Sequence, residues 1–270
     1  MILRWQLDPV LIGGLLTMAL VFGLAVGPLR KRIAPGESFP KRQALLFYLM
    51  LAIFFLSEAS PLHDLAEIYL FSAHMVQHLI LTYVVSPLII ASLPPWLLRP
   101  LLLNRWLYPL ARVLTKPLVA LLVFNIYLSI WHFPAVYEAQ LASSLMHHVQ
   151  HALSITLALM LWWPIMSPLP ELPRLGYGMR TVYLLLIPIA QLVVTAFLTF
   201  SSTPFYPSYV RAPRITDLSA LADQQLGGII MKVSGFIVFG VPLVWTFFRW
   251  YQEEDAPRRS KDAPAARQPE

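Results

Sequence analysis

The chain has 270 residues, of which 57% are hydrophobic and only 13% are charged, and its formal net charge is +6. Soluble domains carry about 25% charged residues, so a chain this apolar is expected to fold in lipid. Cysteine is absent, which excludes a disulfide framework, a thiolate copper motif and cysteine-bound iron–sulfur clusters. The basic residues are scattered between apolar runs, which argues against a nucleic-acid partner.

A transmembrane helix needs about 20 apolar residues to cross a hydrocarbon core of ~30 Å. Seven such runs follow one another along the chain: residues 10–29, 43–60, 66–92, 117–134, 144–168, 181–201 and 223–250. We interpret the first run as a retained helix, because no small-residue cleavage site follows it. The sequence therefore predicts an all-α bundle of seven transmembrane helices over residues 1–252. A polar, Pro-rich cytoplasmic tail, predicted to be disordered, occupies residues 253–270.

The charges of the connecting segments predict the orientation of this bundle. Sixteen of the twenty Lys and Arg residues fall after the first, third, fifth and seventh predicted helices. Basic loops stay in the cytoplasm. The N-terminus is therefore predicted to lie outside and the C-terminus in the cytoplasm, and all seven histidines lie toward the outer membrane face.

Two histidine-bearing strings share one spacing. His74-Met75-Val76-Gln77-His78 and His147-His148-Val149-Gln150-His151 both read His-x-Val-Gln-His. Residues four apart on a helix share a face, with Cβ atoms about 6 Å apart, so two such helices side by side could supply four nitrogens to copper or zinc. The first-choice metal ligands are therefore His74, His78, His147 and His151.

Several other residues are additional candidate ligands near the same face: His63, His132, His148, Asp223 and Met231. Each has a structural alternative. A buried histidine can bridge two helices by a hydrogen bond, His132 could cap the fourth helix, and His148 could contact lipid headgroups. Met231 could simply fill a gap beside a close-packing surface formed by Gly227 and Gly228.

Three carboxylates precede the first histidine string. We interpret Asp64 and Glu67 as a helix-capping pair, and Glu58 with them as part of a rim that attracts cations. A search for catalytic patterns finds no Ser-His-Asp order, Walker loop or Gly-rich dinucleotide fingerprint. The sequence therefore predicts a protein that is not an enzyme.

At these residues the sequence resembles the CtaG-type integral membrane assembly factors of caa-type cytochrome c oxidases. The strings that carry the resemblance are residues 71–78, 131–137, 151–164 and 223–228. The resemblance implies a non-enzymatic assembly factor in the bacterial plasma membrane whose partner is a haem–copper oxidase subunit. Copper would be held by the histidines near the outer face and handed to that subunit.

Two other functions stay open at this point. The first is a b-type cytochrome, with haem held by one histidine from each of the third and fifth predicted helices. The second is a metal permease, which would need polar ligands that continue toward the cytoplasmic side. The inner halves of those two helices are instead largely apolar, with Val84-Val85 in one and Leu159-Met160-Leu161 in the other. That composition disfavours transport.

Overall fold

A computed structural model describes residues 5–262, and the regular structure in this range is entirely helical. Seven helices correspond to the predicted spans: α1 Pro9–Val26, α2 Lys41–Ala59, α3 Phe71–Ser92, α4 Pro117–Trp131, α5 Ser144–Met166, α6 Tyr177–Thr199 and α7 Ala220–Asp262. Short helices connect them at Arg30–Ile33, Pro61–Asp64, Leu65–Tyr69, Pro95–Leu102, Leu107–Leu114, Pro134–Leu141 and Pro207–Arg211.

Six of these seven helices are long and apolar enough to cross a membrane by themselves. The exception is α4, which has 15 residues and follows the short helix Leu107–Leu114 at a bend of 81°. The described residues thus contain six spans, or seven if the bent pair counts as one. The prediction of an all-α, multi-span membrane protein is confirmed, whereas the orientation of its termini stays a prediction.

Proline fixes several helix ends. The residue before a proline is driven out of the α region because the proline ring clashes with its backbone. Ser60, Phe133 and Ser167 each precede a proline and have extended backbones, with ψ of 169°, 129° and 130°. These residues close α2, the turn after α4, and α5. The predicted run 117–134 therefore overshoots α4, which stops at Trp131.

Helix α3 departs from the continuous span predicted over residues 66–92. Leu70 is extended, with φ −133° and ψ 119°, and it separates the π-helical turn Leu65–Tyr69 from the helix that starts at Phe71. A second π-helical turn covers Ile80–Val85 and precedes Pro87. Proline cannot donate to the helix ladder, and wider turns absorb such a defect. The histidine string of α3 thus forms a short helical segment with a distorted turn at each end.

Helix α3 lies at the centre of the bundle and contacts α2, α5 and α7. Its contact with α7 is close, because a Cβ added to Gly227 would lie 2.5 Å from the Phe71 ring. A Cβ on Gly228 would lie 2.5 Å from the Thr199 hydroxyl of α6. Both glycines therefore form the close-packing surface that was weighed above as the alternative to a ligand role for Met231. Helices α3, α5 and α7 enclose the bundle interior, where Trp162 stacks on Phe239 at 5.0 Å.

The outward faces of the spans are apolar. Leu16 in α1 is 65% exposed and Val193 in α6 is 76% exposed, as expected for side chains that face lipid. The buried histidines and carboxylates gather at one end, where α2 and α4 finish and α3 and α5 begin. We call this end the histidine end. The predicted disordered tail starts within α7, its residues 263–270 lie outside the described range, and its disorder stays a prediction.

Candidate metal centre

The two histidine strings face each other across the interface of α3 and α5. Within α3 the ring centroids of His74 and His78 are 4.4 Å apart, and within α5 those of His147 and His151 are 4.2 Å apart. Between the helices, the His78 and His151 rings are 5.2 Å apart. The structure thus brings together the four first-choice residues in one continuous imidazole cluster.

Glu67 joins the outer members of the two strings. Its Oε1 atom lies 3.0 Å from Nδ1 of His74, and its Oε2 atom lies 3.1 Å from Nδ1 of His147. Burial alone would raise the pKa of the Glu67 carboxyl, but hydrogen bonding and charge interactions with these two histidines hold it well below its usual range. Glu67 is therefore a carboxylate anion that lies between α3 and α5 and contacts both helices.

The interpretation of Asp64 and Glu67 as a capping pair is wrong. The hydroxyl of Ser60 caps the turn Pro61–Asp64 by accepting from the Leu62 backbone N–H at 3.3 Å. Asp64 accepts instead from the side chain of Gln6 at 2.6 Å. The π-helical turn after Asp64 rotates Glu67 away from the helix terminus and into the histidine cluster.

A second carboxylate enters the cluster from α2. Oε2 of Glu58 lies 3.0 Å from Nδ1 of His151. Glu58, His147 and His151 each offer one donor atom, and these three atoms lie within 4.8 Å of one another. Two imidazole nitrogens and one carboxylate oxygen at such spacing are the donor set of many copper and zinc sites. The sequence predicts Glu58 only as part of a rim that attracts cations, and its position beside His151 is apparent only from the structure.

The glutamines of the two strings orient the other donors. Gln77 donates through its side-chain amide to Oε1 of Glu58 at 3.1 Å, and the same amide lies 3.1 Å from Nδ1 of His63. Gln150 places its amide 2.9 Å from Nε2 of His78. Such surrounding hydrogen bonds fix the orientation of metal ligands. The shared Gln in His-x-Val-Gln-His was the signal that could have revealed this role.

His63 lies at the edge of the cluster, with its ring centroid 5.6 Å from that of His147. Burial lowers the pKa of His63, although Glu67 and Glu58 act in the opposite direction. The ring is therefore neutral, as a metal ligand must be. His148 is exposed, with Nδ1 2.5 Å from the Ser144 carbonyl oxygen, and its ring centroid lies 5.8 Å from that of His147, so it lies at the exposed edge of the cluster.

An open cleft leads to this cluster from the histidine end. Its volume is about 400 Å³, and its polar lining consists of Gln6, Asp8, Glu58, His63, His147, His148 and His151. The cleft lies between the segment that enters α1 and the first turns of α5. The cluster is therefore reachable from one side and packed by α3 on the other.

Asp223 caps a helix that is distant in sequence. Its Oδ2 atom accepts from the Phe71 N–H at 2.7 Å, and its Oδ1 atom accepts from the Ser72 N–H at 3.2 Å and the Ser72 hydroxyl at 2.5 Å. The first N–H groups of a helix have no acceptor within that helix. Because the helix breaks at Leu70, Asp223 of α7 supplies the acceptor for the Phe71 and Ser72 N–H groups. Asp223 thus acts on the centre by fixing the start of α3.

His132 and Met231 lie outside the four-histidine cluster. Nδ1 of His132 contacts the Leu128 carbonyl oxygen at 2.7 Å, so this imidazole does tie down the end of α4. Met231 is buried in α7, where it packs in one apolar group with Phe71 and Met75. Both residues line a small inner cavity on the far side of His78.

A comparison with known protein families covers most of the chain. The sequence model described as cytochrome c oxidase caa3 assembly factor (Caa3_CtaG) matches residues 20–253. The chain belongs to the Caa3_CtaG family. No curated protein and no solved structure matches it. Membership confirms the predicted resemblance and gives this Caa3_CtaG protein a role in the assembly of an oxidase.

Proposed function

We propose that this Caa3_CtaG protein binds copper at the histidine end and passes it to a subunit of the oxidase that it helps to assemble. The observation that carries the proposal is the convergence of Glu58, His147 and His151, whose donor atoms lie within 4.8 Å of one another. In this role copper is cargo, and the protein catalyses no reaction on it.

The donor set supports copper over other first-row metals. A site of imidazole and carboxylate donors binds divalent copper more tightly than divalent zinc, and imidazole also accepts monovalent copper. Glu67 adds negative charge beside His74 and His147, which attracts a cation to the cluster. Zinc is the alternative ion, and elemental analysis of the purified protein distinguishes it from copper.

The surroundings support exchange. The cleft of about 400 Å³ reaches His147 and His151 from the histidine end, so a partner could approach the ion without rearrangement of the bundle. The positive-inside rule predicts that this end faces outward. Delivery on that side requires no passage of copper across the membrane.

Haem and transport receive less support. A haem between His78 and His151 needs space for a macrocycle, but their ring centroids are 5.2 Å apart and the rings pack against each other. Deeper in the bundle, Tyr83, Trp162 and Phe239 fill the interior in one apolar core. A permease would need polar groups there. An absorption spectrum without a Soret band removes the haem alternative.

Metal analysis of the purified full-length protein tests the proposal. We expect His151→Ala to bind less than a tenth of the divalent copper that the wild type retains after desalting against a weak chelator. Glu171→Ala is the control, since it removes an exposed carboxylate that pairs with Arg99 outside the cluster and should leave occupancy unchanged. Equal copper in both variants and the wild type overturns the proposed site.

A further inference from the structure

A small cavity lies on the inner side of His78, within the bundle and away from the larger cleft. Its volume is about 40 Å³. Helices α3, α4, α5, α6 and α7 all contribute to its lining, and the residues with donor atoms include Met75, His78, His132, Gln150, Gln191 and Met231. A cavity needs roughly 10–15 Å³ of such space to hold one water molecule. This one has room for an ion.

Two thioethers meet in this lining from different helices. Met75 of α3 is 2% exposed and Met231 of α7 is 7% exposed. They come together because Gly227, one turn before Met231, lets α7 approach α3, and a Cβ there would lie 3.2 Å from Cγ of Met75. The close approach of α7 to α3 at Gly227 therefore places both side chains at the cavity.

His132 contributes a free imidazole nitrogen. Its Nδ1 atom lies 2.7 Å from the Leu128 carbonyl oxygen, and a carbonyl only accepts, so Nδ1 carries the proton. The neutral ring therefore has a lone pair on Nε2. That atom is shielded from solvent and has no hydrogen-bond partner among the described residues. A buried polar atom without a partner is costly unless a water or an ion completes it.

His78 lines the inner cavity and also belongs to the outer cluster. Its ring centroid is 5.2 Å from that of His151, a donor of the outer site. The amide of Gln150 lies 2.9 Å from its Nε2 atom and fixes the ring between the two spaces. The side-chain oxygen of Gln150 and the amide nitrogen of Gln191 are also buried without partners in the described part of the chain.

We propose that this cavity is a second copper site, selective for Cu(I), with Met75, Met231 and His132 as its ligands and His78 as its boundary with the outer site. Thioether and imidazole donors select monovalent copper, whereas carboxylates favour harder ions. The inference rests on the proposed function, because it takes the outer site as the source of the ion. The outer imidazoles also accept monovalent copper, so the ion moves inward as Cu(I) and no electron donor is required.

The alternative occupant is a water molecule that bridges His132, Gln150 and Gln191. A water molecule would satisfy the same polar atoms, but its hydrogen bonds would not require the two thioethers. The two occupants therefore predict different effects of replacing the methionines. Detection of sulfur atoms bound to copper distinguishes a copper site from a water site directly.

The test is a Cu(I) titration of the full chain in detergent under anaerobic, reducing conditions, with a competing chelator. We expect two equivalents for the wild type and one for the double variant Met75→Leu with Met231→Leu. Leucine is close to methionine in volume, which preserves packing. Met179→Leu is the matched control, because Met179 is 63% exposed and outside the cavity, and it should retain two equivalents.

A variant of the outer site separates this inference from the proposed function. The double variant His147→Ala with His151→Ala should keep one Cu(I), and X-ray absorption should show sulfur scattering from it. Two equivalents in the methionine double variant, or a copper spectrum without sulfur ligands in the outer-site variant, overturns the inner site. Full occupancy in the outer-site variant contradicts the proposed function and leaves the inner site standing.

Discussion

Oε2 of Glu58, at the end of α2, lies 3.0 Å from Nδ1 of His151, in the second turn of α5. The two residues are 93 positions apart in the chain, and no local pattern connects them. Their contact ties a carboxylate to the histidine cluster of α3 and α5. The centre therefore depends on three helices, and not only on the two that carry the histidine strings.

Replacement of Glu58 by glutamine tests the contribution of the carboxylate. Glu58→Gln keeps the shape of the side chain but removes its charge and one strong donor. We expect copper affinity to fall by at least about tenfold, since even groups that only orient metal ligands change affinity by 10–100-fold. Competition with a chelator measures the change. Glu171→Gln removes an exposed carboxylate paired with Arg99 and should have no effect, and equal losses in both variants would contradict a specific role.

Removal of the cap from α3 should destabilise the bundle. Asp223→Ala takes away the acceptor for two backbone N–H groups and the Ser72 hydroxyl. Loss of a helix N-cap costs about 0.5–2 kcal/mol, and hydrogen bonds to charged groups are worth about 1.5–3 kcal/mol. We expect the unfolding free energy to fall by about 2–3 kcal/mol, measured by thermal unfolding in detergent. Asp217→Ala, in the exposed segment before α7, should lie within about 0.5 kcal/mol of the wild type.

Two glycines of α7 should respond to alanine in opposite directions. In Gly227→Ala the new Cβ would lie 2.5 Å from the Phe71 ring, so the helices must separate, and overpacking of this kind costs about 1–3 kcal/mol. A Cβ on Gly240 meets nothing within 4 Å. Gly240→Ala should therefore stabilise by about 0.5–1 kcal/mol through helix propensity. Denaturant unfolding of both variants gives the sign, and destabilisation by Gly240→Ala would contradict the described packing.

The stability of the metal-free protein should depend on His132 in mildly acidic solution. Burial lowers the pKa of His132 to about 4, although its hydrogen bond to the Leu128 carbonyl acts in the opposite direction. The unfolded chain binds the proton at about pH 6.5 and the folded chain does not until about pH 4. Stability should therefore fall as pH decreases through this window, by roughly 3 kcal/mol for this group.

His132→Asn isolates that contribution, since the asparagine amide can still donate to the Leu128 carbonyl but does not titrate. The variant should lose less stability than the wild type between pH 6.5 and pH 4, as measured by thermal unfolding across this range. His148→Asn is the control, and it should follow the wild type. Parallel pH profiles for all three proteins would show that His132 is not the group responsible.

The spans and the histidine strings were predictable, whereas the contacts between helices were not. Span length follows from the rise per residue of a helix, and helix ends follow from prolines such as Pro61 and Pro134. The break at Leu70 has no such signal, because leucine carries no preference for an extended backbone. Its support comes from Asp223, more than 150 residues further along the chain.

The same distinction applies to the centre. Helical periodicity placed His74 with His78 and His147 with His151, since it depends only on position within one helix. Glu58 and Glu67 enter from outside those helices, and the π-helical turn before Leu70 decides where Glu67 points. Periodicity contains no information on either point. The repeated glutamine was available in the sequence, but its meaning required the neighbouring helix.

Helix α7 spans Ala220–Asp262, which is 43 residues. At a rise of 1.5 Å per residue it is about 65 Å long, more than twice the thickness of a hydrocarbon core. Near its first turn it carries Asp223, which holds the start of the histidine segment, so its other end must project well beyond the headgroups on the opposite side. A single helix thus links the residue that anchors the histidine cluster to the water of the other compartment.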